Sequence, residues 1–117
     1  MARRVTVREV VQGLDLRVLA GAAGLDREIR GGYASDMLSC VMAAARPGDV
    51  WVTLQVHHNV VAVASLKELA CVIITEGARV AEDIRERAES EGVILLGTEE
   101  DTYCTVGRLV RMGIWRE

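Results

Sequence analysis

The sequence is poor in every feature that would announce a particular chemistry. Its fourteen basic residues include a single lysine, Lys67, a skew that reflects genomic base composition more than chemistry. A net charge of −3 leaves no basic excess to follow a nucleic-acid backbone or an anionic membrane. Cys40, Cys71 and Cys104 are odd in number and more than thirty residues apart, which suits neither a disulfide framework nor a zinc site. They are expected to be buried, reduced thiols of a cytosolic protein. The longest apolar stretch, Val60 to Ile74, is broken by Lys67 and Glu68 and is too short to cross a bilayer. The opening "MARRVTVREV" carries charge with no apolar signal core behind it. A soluble, cytoplasmic protein without nucleic-acid or membrane partners is expected.

Catalytic templates are missing as well. There is no GxxxxGK[ST] loop to cradle a triphosphate and no GxSxG elbow, and "GAAG" lacks the spacing of a dinucleotide fingerprint. His57 and His58 are adjacent, so they face opposite ways on a strand or diverge by about 100° on a helix. That spacing argues against a metal pair. No catalytic residue, metal ligand or cofactor site is assigned.

What the sequence does contain is a regular alternation. Its 117 residues, half apolar and a quarter charged, suit one globular domain with its own core. Thr6 before "VREVVQGL", with Glu9 three residues later, is a capping-box pattern for a short helix closed by Gly13. "LRVL" reads as a strand, "GAAG" as a turn, and "REIRGGYAS" as one extended segment weakened by its glycines. Met37, Leu38, Val41, Met42 and Ala45 then fit a helix face that ends at Pro47-Gly48.

Three uninterrupted apolar runs follow, "VWVTL", "CVIIT" and "VILLG", each succeeded by a helical pattern. Runs without polar alternation suit strands buried on both faces, and their alternation with helices suits a parallel sheet. The fold class expected is α/β, with a largely parallel central sheet flanked by helices. Val80, Ile84 and Ala88 form one helix stripe, Asp83–Arg87 and Arg85–Glu89 its expected surface pairs, and Tyr103, Val106, Leu109 and Val110 the inward side of the last helix. Two helices, Val60 to Leu69 and "MLSCVMAAA", are apolar almost all round. One or both are expected to pack against a second copy of the chain, making a homodimer.

In an open α/β sheet, ligands bind beyond the carboxyl ends of the strands, and the polar residues collect there. Ser35 and Asp36 follow the extended segment, Thr53, Gln55, His57, His58 and Asn59 the next strand, Thr75, Glu76 and Gly77 the third, and Thr98, Glu99 and Asp101 the last. Asp36, Asn59 and Thr98 also suit helix N-caps, and a cap and an anion site draw on the same amide donors. The candidate ligand-binding set is Tyr33, Ser35, Asp36, Thr53, Gln55, His57, Asn59, Thr75, Gly77 and Thr98, with Tyr33, Ser35 and Asp36 as one wall and the Gln55–Asn59 loop as another.

Several of these segments resemble a known family. Gly24-Leu25-Asp26-Arg27, Gly32-Tyr33-Ala34-Ser35-Asp36, Pro47-Gly48-Asp49, Gln55-Val56-His57-His58-Asn59 and Ile73-Ile74-Thr75-Glu76-Gly77 are similar to the DRTGG domain family. The resemblance covers about Val5 to Ile114 of a single domain taken as 1–117. One departure is Thr75-Glu76-Gly77, where the family often has Thr-Gly-Gly; Glu76 adds negative charge where an anion pocket would otherwise be assumed. The resemblance implies a fold like the N-terminal domain of HPr kinase/phosphorylase. It also implies a regulatory or dimer-forming role and, for short stand-alone members, a prokaryotic source, some encoded near iron hydrogenase genes. Kinase chemistry in that family belongs to a separate P-loop domain, which is lacking here.

The expected function is a non-enzymatic, homodimerising regulatory module that binds a small polar or nucleotide-like ligand at the strand-end loops. A pure protein-interaction or dimerisation domain linked to hydrogenase or carbon metabolism is the alternative. A small enzyme using His57 with Asp36 or Thr75 is the third reading.

Overall fold

The apolar runs become the interior strands of a five-stranded sheet. The computed structural model describes residues 4–116. In chain order the elements are β1 (Val5–Thr6), α1 (Val7–Leu14), β2 (Arg17–Ala20), a 3-10 turn (Ala22–Gly24), β3 (Glu28–Ile29) and β4 (Gly31–Ala34). Then follow α2 (Leu38–Ala44), β5 (Asp49–Thr53), α3 (Asn59–Leu66), β6 (Cys71–Ile74), α4 (Glu82–Glu91), β7 (Leu95–Gly97) and α5 (Thr102–Arg111). The sheet order is β2-β7-β6-β5-β4, with β4 to β7 mutually parallel and β2 antiparallel to β7. A separate two-stranded ladder joins β1 to β3. The mixed α/β class and the largely parallel, helix-flanked sheet are as the sequence predicts.

Every residue of β5, β6 and β7 is buried. Alternate side chains therefore enter two cores. Val50, Val52, Cys71, Ile73 and Leu96 pack with α1 and α5, whereas Trp51, Val72, Ile74 and Leu95 pack with α2, α3 and α4. The result is three layers, helices on both faces of one sheet.

Local chemistry explains most boundaries. The capping box forms: the Thr6 hydroxyl accepts from the Glu9 amide and the Glu9 carboxylate accepts from the Thr6 amide. The helix does not close at Gly13, as expected, but two residues later, at Asp15. Asp15 adopts the left-handed conformation at φ 54°, while Gly13 stays within the helix, where the Met112 thioether packs so close that a Cβ would meet it at 3.1 Å. "REIRGGYAS" is two strands with different partners, since Arg30 turns its amide to the Gly48 carbonyl between them. On α4 the Val80, Ile84 and Ala88 stripe does pack inward.

Other details differ. Asp83–Arg87 and Arg85–Glu89 do not form among the described residues; Arg87 pairs with Glu91 at 2.8 Å, Arg85 donates to the Leu19 carbonyl and Glu89 accepts from the Gly21 amide. Those last two bonds tie α4 to the end of β2, an attachment that helical spacing alone does not show. On α5, Leu109 is buried and Val106 half-buried, but Tyr103 is 89% exposed and Val110 faces solvent. The helix has only a narrow inward stripe because it covers the sheet from one side. α3 is covered by its own chain more fully than its composition suggests. Val60, Val61, Val63 and Ala64 are buried between α2 and α4, and Leu66 is the large apolar residue left out, at 72% exposure.

The cysteines are free, as expected, but not uniformly buried: Cys71 is buried, Cys40 half-buried and Cys104 exposed. Burial in the sheet pushes the Cys71 thiol from 9.0 up to about 12, against a weaker opposing pull from Arg27. A thiol reagent at pH 8 should therefore leave Cys71 untouched until the protein is unfolded. The unfolded chain ionises this thiol first, so the stability it maintains below pH 9 should decline as pH rises from 9 towards 12. Urea midpoints across that range for wild type and Cys71→Ser would check it; an identical alkaline decline in both refutes the assignment.

Candidate functional site

Because β4 to β7 are parallel, their carboxyl ends lie along one edge, and the first half of that edge is tied together by its own side chains. Asp36 Oδ1 accepts from the Thr53 hydroxyl at 2.8 Å and the Leu54 amide at 2.9 Å, joining the end of β4 to the end of β5. Gln55 Nε2 donates to the Asp36 carbonyl, and Thr53 Oγ1 accepts from the Gln55 amide. Gln55 Oε1 in turn accepts from the His57 amide, and His57 Nδ1 from the Asn59 amide. Thr75, fully buried, donates its amide to the Thr53 carbonyl and shares a hydroxyl–hydroxyl bond of 2.9 Å with Thr102.

This arrangement corrects the three expected helix caps. Asp36 lies two residues before α2, and the extended backbone of Met37 turns its carboxylate across to β5 instead of back onto the helix. Asn59 is the first residue of α3, and its side chain makes no capping bond. Thr98 closes a local turn by accepting from the Glu100 amide, while Asp101 is the residue that caps α5. His57 and His58 do not diverge: in the loop their rings lie 4.1 Å apart. Among the described residues no group of three potential metal ligands occurs, and no hydrogen bond joins His57 to Asp36 or Ser35. Ser35 Oγ accepts from the Met37 amide. Such a set lacks the oriented nucleophile–base pair of a triad.

Tyr33 stands apart from this wall. Its ring lies under the Arg116 guanidinium, 5.0 Å from the centroid, beside an apolar cavity of about 150 Å³ lined by Val52, Val106, Ile114 and Trp115. Arg116 also reaches the Asp49 carboxylate at 3.1 Å and the Gly32 carbonyl, so the carboxyl-terminal segment covers the outer strand. The Cys104 thiol is held above its ordinary pKa by its hydrogen bond to Asp101 and by that carboxylate's charge.

The second half of the edge is open. Beyond β6 and β7 a cleft of about 470 Å³ is lined by Arg17, Gly77, Arg79, Arg85 and Glu99, with Val18, Leu19, Ala78 and Val80 beneath. Arg17 pairs with Glu99 at 3.3 Å. Glu76 and Gly77 are consecutive left-handed residues, at φ 60° and 63°, with their amides bonded to the Glu100 and Thr98 carbonyls. Those amides are already engaged, so the turn itself offers no anion nest, in line with the departure at Glu76. Of the ten expected residues, only Gly77 lines this cleft. Arg17 carries no signal in the sequence because it arrives on an antiparallel strand opposite Gly97, a pairing eighty residues distant that no local pattern reveals.

A profile described as the DRTGG domain matches residues 9–112. No curated protein matches the sequence. Among solved structures, the chain is similar to the CBS and DRTGG domains of the regulatory region of Clostridium perfringens pyrophosphatase, complexed with its activator diadenosine tetraphosphate. The TM-score is 0.75 at 14% identity, covering 93% of this chain and 47% of that one, so the likeness is one of fold and spans about half of the longer chain.

Two substitutions test the edge. Asp36→Ala leaves the buried Thr53 hydroxyl and the Leu54 amide without their acceptor and should cost about 1–3 kcal/mol in urea unfolding. Glu76→Gly relieves a left-handed side chain and should raise stability by up to about 1 kcal/mol, less the extra freedom of glycine in the unfolded chain. A destabilised Glu76→Gly would show that its side chain supports the turn.

Proposed function

The chain belongs to the DRTGG domain family, and on that premise we propose a non-enzymatic regulatory module that binds a small polar, nucleotide-like ligand at the strand-end edge and works as a homodimer. The observation carrying this reading is the open, charged cleft beyond β6 and β7, on the edge where open α/β sheets receive ligands. The similar pyrophosphatase region, complexed with a dinucleotide activator, supports both the regulatory role and the ligand class. Thr53, Gln55, Thr75, Asp36 and Thr98 serve in this reading as the scaffold that holds the edge, and Gly77 as the member of the expected set that meets the ligand. The self-contained bonding of His57, Asp36 and Ser35 supports a binding role over catalysis.

Self-association draws its support from α2 and α3, which pack side by side and leave Met37, Met42 and Leu66 exposed. Light scattering after size exclusion should give twice the chain mass of 12.7 kDa, and Leu66→Glu should return it to one. A wild-type monomer at micromolar concentration refutes the dimer. For the ligand, thermal-shift and calorimetric titration against nucleotides, diadenosine tetraphosphate included, should find at least one compound that stabilises saturably. At a hundred times its dissociation constant, such a ligand adds about 2.7 kcal/mol. If no compound shifts stability or releases heat, the ligand half of the proposal is wrong.

A further inference from the structure

Three guanidinium groups, on Arg17, Arg79 and Arg85, line the open cleft, and Glu99 is the carboxylate that lines it with them. This local excess of positive charge runs against the whole chain, in which seventeen acidic residues outnumber fourteen basic ones. Arg79 makes no hydrogen bond or ion pair with any described residue, and Arg85 commits only Nε, to the Leu19 carbonyl. The forked ends of both therefore remain available.

Glycines make the room. A Cβ on Gly77 would lie 2.8 Å from the Glu99 carboxylate, and one on Gly97 would lie 3.2 Å from the Arg17 guanidinium. The chain thus brings a carboxylate close over one glycine and a guanidinium over the other, where they pair at 3.3 Å. Their side chains are 58% and 77% exposed, so this pair is weak and readily exchanged.

We infer that the cleft is a phosphoryl-binding site for a small ligand with at least two negative charges, in which the Glu99 carboxylate is an internal stand-in that the ligand displaces from Arg17. The inference rests on the reading of this edge as a ligand site and deepens it. Guanidinium forks match phosphoryl oxygens in pairs and keep their charge at any physiological pH. The cleft's volume of about 470 Å³ lies within the range of small-ligand sites. Val80 and Leu19 offer apolar surface for the ligand's organic part. Glu82, Glu86 and Glu89 line a shallow depression that adjoins through Leu19 and Arg85. Their charge repels a long polyanion and leaves the Gly77 end for a compact one.

Calorimetric titration of the full chain with inorganic tripolyphosphate at low ionic strength tests this. Wild type should bind one equivalent, and Arg79→Gln should weaken binding roughly tenfold through loss of a charge-assisted contact. Glu99→Gln should tighten it up to about fivefold, because Arg17 is released and a repelling charge removed. Arg111→Gln, an equal charge change outside the cleft's lining, should leave affinity unchanged. Arg79 has no bond whose loss would disturb the fold, and the urea midpoint verifies this. Equal weakening by Arg79→Gln and Arg111→Gln would reveal diffuse charge attraction and overturn the site. An unchanged or weakened affinity in Glu99→Gln would overturn the stand-in. Silence towards tripolyphosphate, while some compound of the nucleotide panel stabilises the protein, would sink this inference and spare the ligand reading; silence towards both would sink the two together.

Discussion

Burial of the three central strands on both faces is the constraint from which the remaining architecture follows. A strand with no solvent-facing side chain requires helices above and below it, which is why α1 and α5 occupy one face and α2, α3 and α4 the other. It also leaves polar side chains nowhere to go along the strand. They gather at the carboxyl ends, where Thr53, Thr75 and Thr98 are buried yet each finds a hydrogen-bond partner, in Asp36, Thr102 and the Glu100 amide respectively. Among the described residues no buried side-chain nitrogen or oxygen lacks a partner, so this edge is ordered by satisfied bonds.

The edge divides because the strands along it differ in direction. Where β4, β5 and β6 run in parallel, successive ends meet similar ends, and Asp36, Thr53 and Thr75 can bridge from one to the next. At β7 the neighbour is antiparallel β2, whose beginning lies there. Arg17 is therefore projected to the edge from the start of a strand, beside the mutually bonded turns that follow β6 and β7. Closed and open halves thus arise from one change in strand polarity.

Much of the fold was legible in the sequence because it depends on local signals and on periodicity. "VWVTL", "CVIIT" and "VILLG" could be read as doubly buried strands, and the Thr6–Glu9 box as a helix start, without any tertiary knowledge. The caps were not legible. Asp36, Asn59 and Thr98 are cap-forming residue types at plausible distances from helices, but their bonds were decided by competing acceptors and donors in the folded chain. Arg17 was invisible for a related reason: a surface arginine on a short strand carries no signal until its cross-strand partner, Gly97, is known. Tyr103 failed differently, since helical periodicity identifies a stripe but not how wide a stripe the sheet will cover.

The exposed Arg17–Glu99 pair also bounds how such a cleft can regulate. A ligand shifts an equilibrium only by its differential affinity for the two states. Exchange of one weak surface ion pair supplies about 1 kcal/mol at most, which is too little to drive a large rearrangement within a chain whose core is closed on both faces. Larger effects require a second element whose position responds to the exchange. β2 is the element placed for it: Arg17 lies at its start, its Leu19 carbonyl receives Arg85, and the adjacent Gly21 amide binds Glu89. Arg85 thus belongs both to the cleft lining and to the contact of α4 with the outer strand, and Arg17 to the cleft lining and to the start of that strand. Since α4 packs on α3, and α3 on α2, three contiguous helices lie between the cleft and the exposed Leu66 and Met42.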